Sequence, residues 1–349
     1  RKALLLRSPV PKRHGLRMIP TPTDGSISIA ARSPRLDVDA VDVVVTIPTF
    51  RRPRQVLETL ASVRAQVTSR RFAIIVMEND AEVREGVAAL TPVFERGEAE
   101  GLVVIAHERG NCSAYNAGWE TALLRFPSFQ YLLVIDDDEI ADPHWLERMC
   151  RMAETAPADI VGGPQVPQFP EESDQRWADH PVFAPPYRQS GPVPALYSSG
   201  NLLLSRVVLV RMGPPFLDLA FNFMGGGDSD FLSRSKQAGF HLAWCAEAPV
   251  YEAVPPRRLE ADWIRSRSLR NGVISTLVQK RRDARKPFGG PRVFAKSLAL
   301  LAASPLRAAI QLARTRWPSL AVYPIYVAIG RVLAEFGYSN EQYRQPEKN

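Results

Sequence analysis

The chain has 349 residues, 45% of them hydrophobic, and carries a formal net charge of +7 at pH 7. This composition is typical of a globular protein with a substantial core and excludes a fibrous or wholly disordered chain. The three cysteines (Cys112, Cys150 and Cys245) are far apart and form no CxxC pair. Their spacing excludes a disulfide framework and a structural zinc site, and it favours a reducing cytosol.

The first predicted segment, residues 1–40, is rich in Pro, Arg and Ser and shows no regular hydrophobic period. Such composition is typical of chain that does not pack into a core. We therefore expect residues 1–40 to form a mobile N-terminal arm.

From residue 41 onwards, short β-branched runs alternate with helical patterns. The predicted strands are 41–47, 72–77, 102–106 and 131–135, and the predicted helices between them are 54–66, a segment in the 80s and 113–125. Strands joined by helical crossovers form a parallel, doubly wound sheet. The sequence therefore predicts an α/β fold whose Rossmann-like sheet is mostly parallel.

Polar residues follow each of these four strands, where ligands bind in doubly wound sheets. The turns contain Pro48, Thr49 and Arg51 after the first strand, Glu78 and Asp80 after the second, Arg109 after the third, and Asp136, Asp137, Asp138 and Glu139 after the fourth. The first turn lacks the GxGxxG pattern of dinucleotide-binding proteins, and the chain contains no P-loop. We expect the four turns to line one pocket.

The acidic cluster at 136–139 needs a physical explanation, because two carboxylates about 4 Å apart repel by roughly 4 kcal/mol at an effective dielectric near 20. A hard divalent cation such as Mn²⁺ or Mg²⁺ offsets that repulsion and binds through one or two carboxylates together with phosphate oxygens. Because side chains alternate along extended chain, Asp136 and Asp138 are predicted to face one side. The alternative is an acidic helix start, although Asp142 before Pro143 already fills that role.

Eight segments, taken in order, carry a resemblance to a known family. They are VVVTIPTFRRP, AIIVMENDAE, RGNCSAYNAG, YLLVIDDDE, DIVGGP, SSGNLLLSR, GGGDSDFLSR and WCAEAPVYEAVPPRR. Together they resemble the family 2 glycosyltransferases of the GT-A fold, in particular bacterial members that lengthen lipid-linked exopolysaccharide or cell-envelope oligosaccharides. The resemblance covers residues 41–275 and implies a GT-A domain over that range, followed by a basic and apolar helical region at 276–349.

The resemblance also implies roles for individual residues. It implies that a nucleotide-sugar donor, with UDP expected as its nucleotide, is bound by Pro48, Thr49, Arg51, Glu78, Asp80, Arg109, Asn116, Asp136 and Asp137. Asp138, with Asp136, would ligate the metal. Two positions depart from the family pattern: Glu78 replaces an Asp, for which Asp80 is a possible substitute, and Tyr115 replaces an Arg, so that a phosphate contact is expected to be lost.

Asp228 matches the catalytic base of the family, which removes a proton from the acceptor hydroxyl. The family usually has Glu-Asp at this motif, and here Gly227 stands in place of the Glu. One carboxylate is enough for proton removal, which typically contributes about 10² to 10⁴ in rate. Asp230 is the alternative base or an acceptor ligand, although the start of a helix explains it equally well. Direct displacement by the acceptor would invert the anomeric carbon.

The acceptor side is predicted from basic and aromatic residues near the C-terminus. Between residues 257 and 316 there are 15 Lys or Arg and three acids. Arg258 and Arg265 are candidates for holding an acceptor diphosphate, since Arg forks match phosphate oxygens, but a solvated basic face is the alternative. Trp177 is the tryptophan that we expect to stack on a sugar, against the alternative that it belongs to the core.

The stretch 294–336 is strongly apolar but contains three prolines and several Arg residues, and it has no run of 18 apolar residues. We therefore expect helices that lie on an anionic membrane surface rather than a transmembrane helix. The alternative is that these helices pack on the protein's own core or on a partner subunit. This predicts a cytoplasmic enzyme that is peripheral on the inner face of the cell membrane. The basic segment lacks the features of a nucleic-acid module.

Three other functions compete with a glycosyltransferase acting on a lipid-linked or envelope saccharide. A processive synthase would need several membrane spans and a QxxRW motif, and the nearest stretch here is DWIRSR. A sugar nucleotidyltransferase would need a Gly-rich first turn. A catalytically degenerate protein that binds sugar nucleotides or lipid is favoured by Gly227 and Tyr115.

Overall fold

The structure is a computed structural model that describes residues 25–338. Within that range twelve strands form two sheets. The strands are β1 (Ile27–Arg32), β2 (Val43–Thr49), β3 (Phe72–Glu78), β4 (Gly101–Ala106), β5 (Tyr131–Ile135), β6 (Glu139–Ala141), β7 (Ile160–Gly162), β8 (Gln165–Gln168), β9 (Gly191–Pro192), β10 (Asn201–Ser205), β11 (Leu242–Trp244) and β12 (Val250–Ala253).

Helices cover both faces of the larger sheet and form the C-terminal region. They are α1 (Pro53–Arg64), α2 (Glu85–Glu95), α3 (Asn111–Arg125), α4 (Trp145–Thr155), α5 (Arg206–Met212), α6 (Gly227–Gln237), α7 (Ala261–Asp283), α8 (Gly289–Thr315) and α9 (Pro318–Glu335). Every residue of β2 is buried, as expected of a strand with helices on both faces.

The nine-stranded sheet has the order β1-β4-β3-β2-β5-β10-β7-β11-β9, and β6, β12 and β8 form the smaller sheet. The four predicted strands are adjacent and parallel, in the order β4-β3-β2-β5, which confirms the α/β prediction. Beyond them the sheet is mixed, because β1 pairs antiparallel with β4 and β10 pairs antiparallel with both β5 and β7. The carboxyl ends of the parallel strands therefore share one edge.

The predicted N-terminal arm is wrong over residues 27–32. Strand β1 extends the sheet there, with Ile27 opposite Ala106 and Arg32 opposite Leu102. Its sequence, ISIAAR, alternates over only a few residues, which is too short a signal beside the surrounding Pro, Arg and Ser. Residues 1–24 of the predicted arm lie outside the described part of the chain.

Three long helices follow the sheet, and α7 and α8 both pack on α9. The predicted boundary between residues 275 and 276 falls inside α7, so this helix joins the two predicted regions without a break. Pro305 lies within α8 and Pro324 within α9, so neither proline ends its helix. Pro318 occupies the first turn of α9, where a proline is well tolerated. Within residues 25–338 one helix, α8, is long and apolar enough to cross a membrane. The criterion of 18 consecutive apolar residues, which predicts no membrane-spanning helix, is therefore stricter than a test of length and mean hydropathy.

Candidate active site

Strands β2 and β5 are neighbours in the sheet, and their carboxyl ends bring separate parts of the chain together. The hydroxyl of Thr49, the last residue of β2, donates to Asp137 Oδ2 at 2.8 Å. Asp137 follows β5 by two residues, so the alignment of these parallel strands positions the acidic cluster beside the first turn.

A cavity of about 930 Å³ opens at this edge of the sheet. Eight of the predicted site residues line it: Pro48, Thr49, Arg109, Asp136, Asp137, Asp138, Asp228 and Arg258. Residues of α7 and Lys296 of α8 also line it. Asn79, which follows β3, is in the lining as well, so the ends of all four parallel strands contribute to one pocket, as the sequence predicts.

Each aspartate of the cluster is hydrogen-bonded to a side chain from another segment of the chain. The hydroxyl of Tyr115 donates to Asp136 Oδ1. Arg52 Nη1 donates to Asp137 Oδ1 at 3.0 Å and to Asp138 Oδ2 at 2.8 Å. Arg258 Nη2 lies 3.9 Å from Asp138 Oδ2. Two arginines and a tyrosine from separate segments therefore hold the carboxylates in the cavity wall.

The pKa values of the cluster show that its charges are costly. Burial, reinforced by the charge of Asp138, raises the pKa of Asp136 above its ordinary range. Burial also raises the pKa of Asp137, although the Arg52 charge opposes the increase. The pKa of Glu252 is raised by burial, against the lowering effect of Arg258. A cation bound here would therefore relieve charge that the protein only partly neutralises.

Within residues 25–338, no group of three or more His, Cys, Asp or Glu side chains forms a ready metal cage. Mn²⁺ and Mg²⁺ do not need one, because they usually bind through one or two carboxylates and complete their coordination with phosphate oxygens and water. Asp136 and Asp138 line the same cavity wall and supply hard oxygen donors. These residues therefore fit a cation that arrives with a diphosphate.

Asp228 lies in the first turn of α6 and lines the same cavity. Its Oδ1 accepts the backbone N–H of Ser229 at 2.7 Å. Burial raises the pKa of Asp228, and this effect exceeds the opposing contributions of the Ser229 N–H and the Arg270 charge. A carboxylate whose pKa is raised towards neutrality is better suited to accept a proton than an ordinary aspartate.

The glycine before this base sits against a cysteine of α3. A Cβ at position 227 would lie 2.5 Å from Cys112 Sγ, and Cys112 is buried. The side chain of Cys112 therefore occupies the space that a Glu side chain at position 227 would need, which explains why this chain has Gly there instead of the Glu of the Glu-Asp pattern.

We expect Gly227→Ala to destabilise the fold by about 1–3 kcal/mol, the usual cost of overpacking a filled site, which outweighs the helix propensity of Ala. Cys112→Ala removes the sulfur atom, so the double variant should be more stable than the sum of the single effects predicts. Urea unfolding of all four proteins measures this coupling. Gly290→Ala, where a Cβ meets nothing within 4 Å, is the matched control. Strict additivity would contradict the packing explanation.

Four predicted donor-site residues do not line the cavity: Arg51, Glu78, Asp80 and Asn116. Glu78 is buried and accepts the backbone N–H groups of Asp80 and Gly86, and Asp80 pairs with Arg51 at 2.6 Å. Asn116 is buried too, and its amide bonds both the N–H and the C=O of Leu217. Glu78, Asp80 and Asn116 therefore bind backbone groups of neighbouring loops, and Arg51 pairs with one of these side chains.

Three predicted acceptor-site residues also lie away from the cavity lining. The ring of Trp177 packs edge-on against Trp317 at 5.0 Å. Asp230 is buried in ion pairs with Arg234 and Arg281. Arg265 lies on the exposed side of α7. A sequence pattern does not show which side of a helix or loop faces a cavity, so the orientations of these three side chains were not predictable.

Sequence reasoning missed several residues that the structure brings to the cavity. They are Arg52, Tyr115, Phe183, Glu252 and Trp263. The rings of Phe183 and Trp263 stack at 6.0 Å with 6° between their planes. Arg52 adjoins Arg51, which was chosen in its place, and Tyr115 was expected only to lose a contact. The others come from distant segments, so no local pattern points to them.

Three comparisons with known proteins bear on this geometry. The family model described as Glycosyl transferase family 2 matches residues 44–210. The succinoglycan biosynthesis protein ExoM of Rhizobium meliloti (strain 1021) is 30% identical over 241 residues, which cover 67% of this chain and 74% of ExoM.

Solved structures match this chain at lower sequence identity. The mannosyltransferase PcManGT from Pyrobaculum calidifontis, solved in complex with GDP-Man and Mn²⁺, superposes with a TM-score of 0.52 at 17% identity and covers 85% of this chain and 90% of its own. A structure of S. aureus TarS gives a TM-score of 0.48 at 13% identity, with coverages of 85% and 91%. The family match and the ExoM relationship together show that this chain belongs to glycosyltransferase family 2.

Proposed function

We propose that this glycosyltransferase is metal-dependent and inverting, and that it moves a sugar from a nucleotide sugar to a hydroxyl of a saccharide acceptor. The observation that carries the proposal is that Asp136, Asp138 and Asp228 line one cavity. In a metal-assisted single displacement, carboxylates hold the cation that stabilises the leaving diphosphate, and a carboxylate with a raised pKa accepts the proton of the acceptor hydroxyl.

In the proposed reaction, Asp138 and Asp136 hold Mn²⁺ or Mg²⁺, which when bound supplies Lewis-acid stabilisation to the leaving diphosphate. Asp228 takes the proton of the acceptor hydroxyl. The bond from the acceptor oxygen to the anomeric carbon forms as the bond to the phosphate oxygen breaks, and the nucleoside diphosphate leaves. Attack opposite the leaving group inverts the anomeric carbon, so no second carboxylate has to act as a nucleophile.

For the donor nucleotide we propose UDP, as the sequence resemblance implies. The cavity lining includes Phe50 and Arg109, and the guanidiniums of Arg109 and Arg51 lie 5.0 and 5.1 Å from the centre of the Phe50 ring. This group of planar side chains is the surface that we propose for the nucleobase. Glu78 and Asp80 would act indirectly, by holding the loop after β3.

We propose a lipid-linked saccharide as the acceptor. The cavity is also lined by basic residues of α7 and α8, among them Arg267, Arg282 and Lys296. Arg and Lys are the side chains that bind phosphate groups, so this end suits an acceptor that carries a diphosphate. The stacked rings of Phe183 and Trp263 lie in the same cavity and offer apolar surface to sugar rings.

A screen of sugar nucleotides by thermal shift tests this function, because a ligand that binds only the folded state raises the melting temperature by mass action. We expect a UDP-sugar to raise it in MnCl₂ and not in EDTA, and slow release of UDP to accompany binding. If no sugar nucleotide shifts the melting temperature, the proposed function is wrong. Binding without UDP release, either alone or with saccharide acceptors, would indicate a degenerate binding protein.

We also propose that the enzyme works as a peripheral protein on the cytoplasmic face of the membrane, with α8 as its contact. Phe294, Leu298, Leu306 and Ile310 are exposed on one side of this helix. On a helix with about 3.6 residues per turn, Arg292, Lys296, Arg307 and Arg314 form a row along one edge of that side. Helix α8 contains no acidic residue. An apolar face with a basic edge suits the surface of an anionic bilayer.

We expect the full chain to sediment with vesicles that contain an anionic lipid and to bind zwitterionic vesicles weakly. The double variant Leu298→Glu/Leu306→Glu should lose most of this binding, because a charge replaces each of two exposed apolar side chains. Val207→Glu on α5, a site that is also exposed, is the control. Unchanged vesicle binding of the double variant would contradict the proposal, as would a lipid-free dimer that only the α8 variant disrupts.

A further inference from the structure

We infer that Arg52 is a mobile counter-ion, which neutralises Asp137 and Asp138 before the donor binds and transfers to the donor's diphosphate when a cation binds Asp138. The inference deepens the proposed function and rests on it. It assigns Arg52 as a residue that binds the donor's diphosphate, whereas the sequence pointed to the neighbouring Arg51 as a donor-binding residue.

The contacts of Arg52 define the resting arrangement. A single nitrogen, Nη1, donates to both carboxylates, at 3.0 Å to Asp137 and 2.8 Å to Asp138. A guanidinium has five N–H donors, so others are available to phosphate oxygens. The Arg52 side chain is 32% exposed and lines the cavity, whereas that of Asp137 is 8% exposed. The carboxylate is therefore fixed in the wall, and the guanidinium is the partner that has room to move.

A cation bound to Asp138 would be repelled by the guanidinium of Arg52 in its present position. Both would place positive charge at the same carboxylate, and like charges repel strongly at such short range. The diphosphate that accompanies the cation offers oxygens that match the planar fork of Arg. Arg52 therefore disfavours binding of the metal alone and favours binding of the metal together with the donor.

Arg258 does not share this role, although it also approaches Asp138. Its Nη1 is ion-paired with Glu252, and its side chain is only 17% exposed. Its guanidinium carbon lies 5.8 Å from the centre of the Trp263 ring. These contacts fix Arg258 in place when Asp138 changes partner, so Arg52 is the arginine that responds to the cation.

Two titrations test the inference without measuring turnover: Mn²⁺ alone, followed by electron paramagnetic resonance, and UDP in saturating Mn²⁺, followed by calorimetry. We expect Arg52→Gln to bind Mn²⁺ alone more tightly and UDP more weakly, each by about 5-fold or more, the lower end of typical coupling between sites. Arg54→Gln is the matched control, because Arg54 lies two residues away on α1 and pairs with exposed Glu58. Arg52→Lys keeps the charge without the fork, so it should keep weak Mn²⁺ binding and lose UDP affinity.

Opposite signs for the two ligands are the signature of the inference, because a structural defect would weaken both. If Arg52→Gln left Mn²⁺ affinity unchanged or lowered it, or left UDP affinity unchanged, the inference would be wrong. Should Arg52→Gln fail to fold, Arg52→Lys decides, since unchanged UDP affinity in that variant overturns the phosphate role. If wild type itself failed to bind UDP in Mn²⁺, the proposed function would fail first.

Discussion

Asp228→Asn should lower the rate constant for sugar transfer by about 10²- to 10⁴-fold, the usual contribution of a positioned general base. The amide keeps the size of the carboxylate but does not accept the proton of the acceptor hydroxyl. Because the aspartates at the end of β5, and not Asp228, are proposed to hold the donor's diphosphate through the cation, nucleotide-sugar affinity in Mn²⁺ should be unchanged. Single-turnover transfer and calorimetric donor binding, measured on the same preparation, separate the two quantities.

Asp230→Asn is the comparison that tests the alternative base. Asp230 is buried in ion pairs with Arg234 and Arg281, so its substitution should lower stability. The transfer rate of the folded fraction should change little. If Asp230→Asn stopped transfer and Asp228→Asn did not, the assignment of the base would be wrong.

The pH profile of transfer provides a second measure of Asp228. Its pKa is raised by burial, and the base works when it is deprotonated. The rate should therefore be full above the raised pKa and fall as the pH decreases through it, at a higher pH than an exposed aspartate would give. An acid limb at the pH of an exposed aspartate would contradict this role.

Asp138→Asn should remove metal-dependent donor binding. The loss should be at least about 10- to 100-fold in affinity, which is typical even for substitution of groups that only orient a metal ligand. The amide of the variant is an uncharged and weaker metal ligand than the carboxylate, so the cation is held less tightly. The negative charge of the diphosphate is then no longer neutralised in the site. Calorimetric titration of UDP in Mn²⁺ and in EDTA measures the metal-dependent part directly.

Asp142→Asn is a suitable control, because Asp142 lies four residues further along the chain, directly after β6, and pairs with Arg148. It should bind UDP as wild type does. The metal assignment would be contradicted if Asp138→Asn kept the difference between Mn²⁺ and EDTA. The variants of Asp138 and Arg52 should also change the affinity for Mn²⁺ alone in opposite directions. Asp138→Asn should weaken Mn²⁺ binding because it removes a ligand, and Arg52→Gln should strengthen it because it removes a competing positive charge.

The central part of the fold was predictable from the sequence. Runs such as VVVTI and YLLVI are β-branched and uniformly apolar, as strands buried on both faces must be, and helical patterns separate them. Once these strands are parallel, their carboxyl ends share an edge. The meeting of Thr49 with Asp137 follows from that rule and does not depend on detailed packing.

The remaining strands and much of the site were not predictable in the same way. Strands β7 and β11 have three residues each, which is too short for any hydrophobic period to appear. Strand β1 is stabilised by its pairing with β4, and its own pattern does not reveal this. Tyr115 and Glu252 reach the cavity from helix α3 and strand β12, so only the tertiary fold shows that they approach the acidic cluster.

Trp177 illustrates the same limit from the opposite direction. Its loop position suggested a sugar-stacking residue, but its ring is edge-on to that of Trp317, the residue before α9, and lies near His180. The rings that line the cavity are instead those of Phe183 and Trp263. A sequence gives the number of aromatic residues, whereas packing decides which of them face a cavity.

The most direct test of the proposed cation site is anomalous scattering at the manganese edge from crystals grown with MnCl₂ and UDP. We predict a peak within coordination distance of the Asp138 carboxylate, beside Asp136, with the diphosphate oxygens completing the shell. A map with UDP bound in the cavity and no manganese peak at Asp138 would contradict the account.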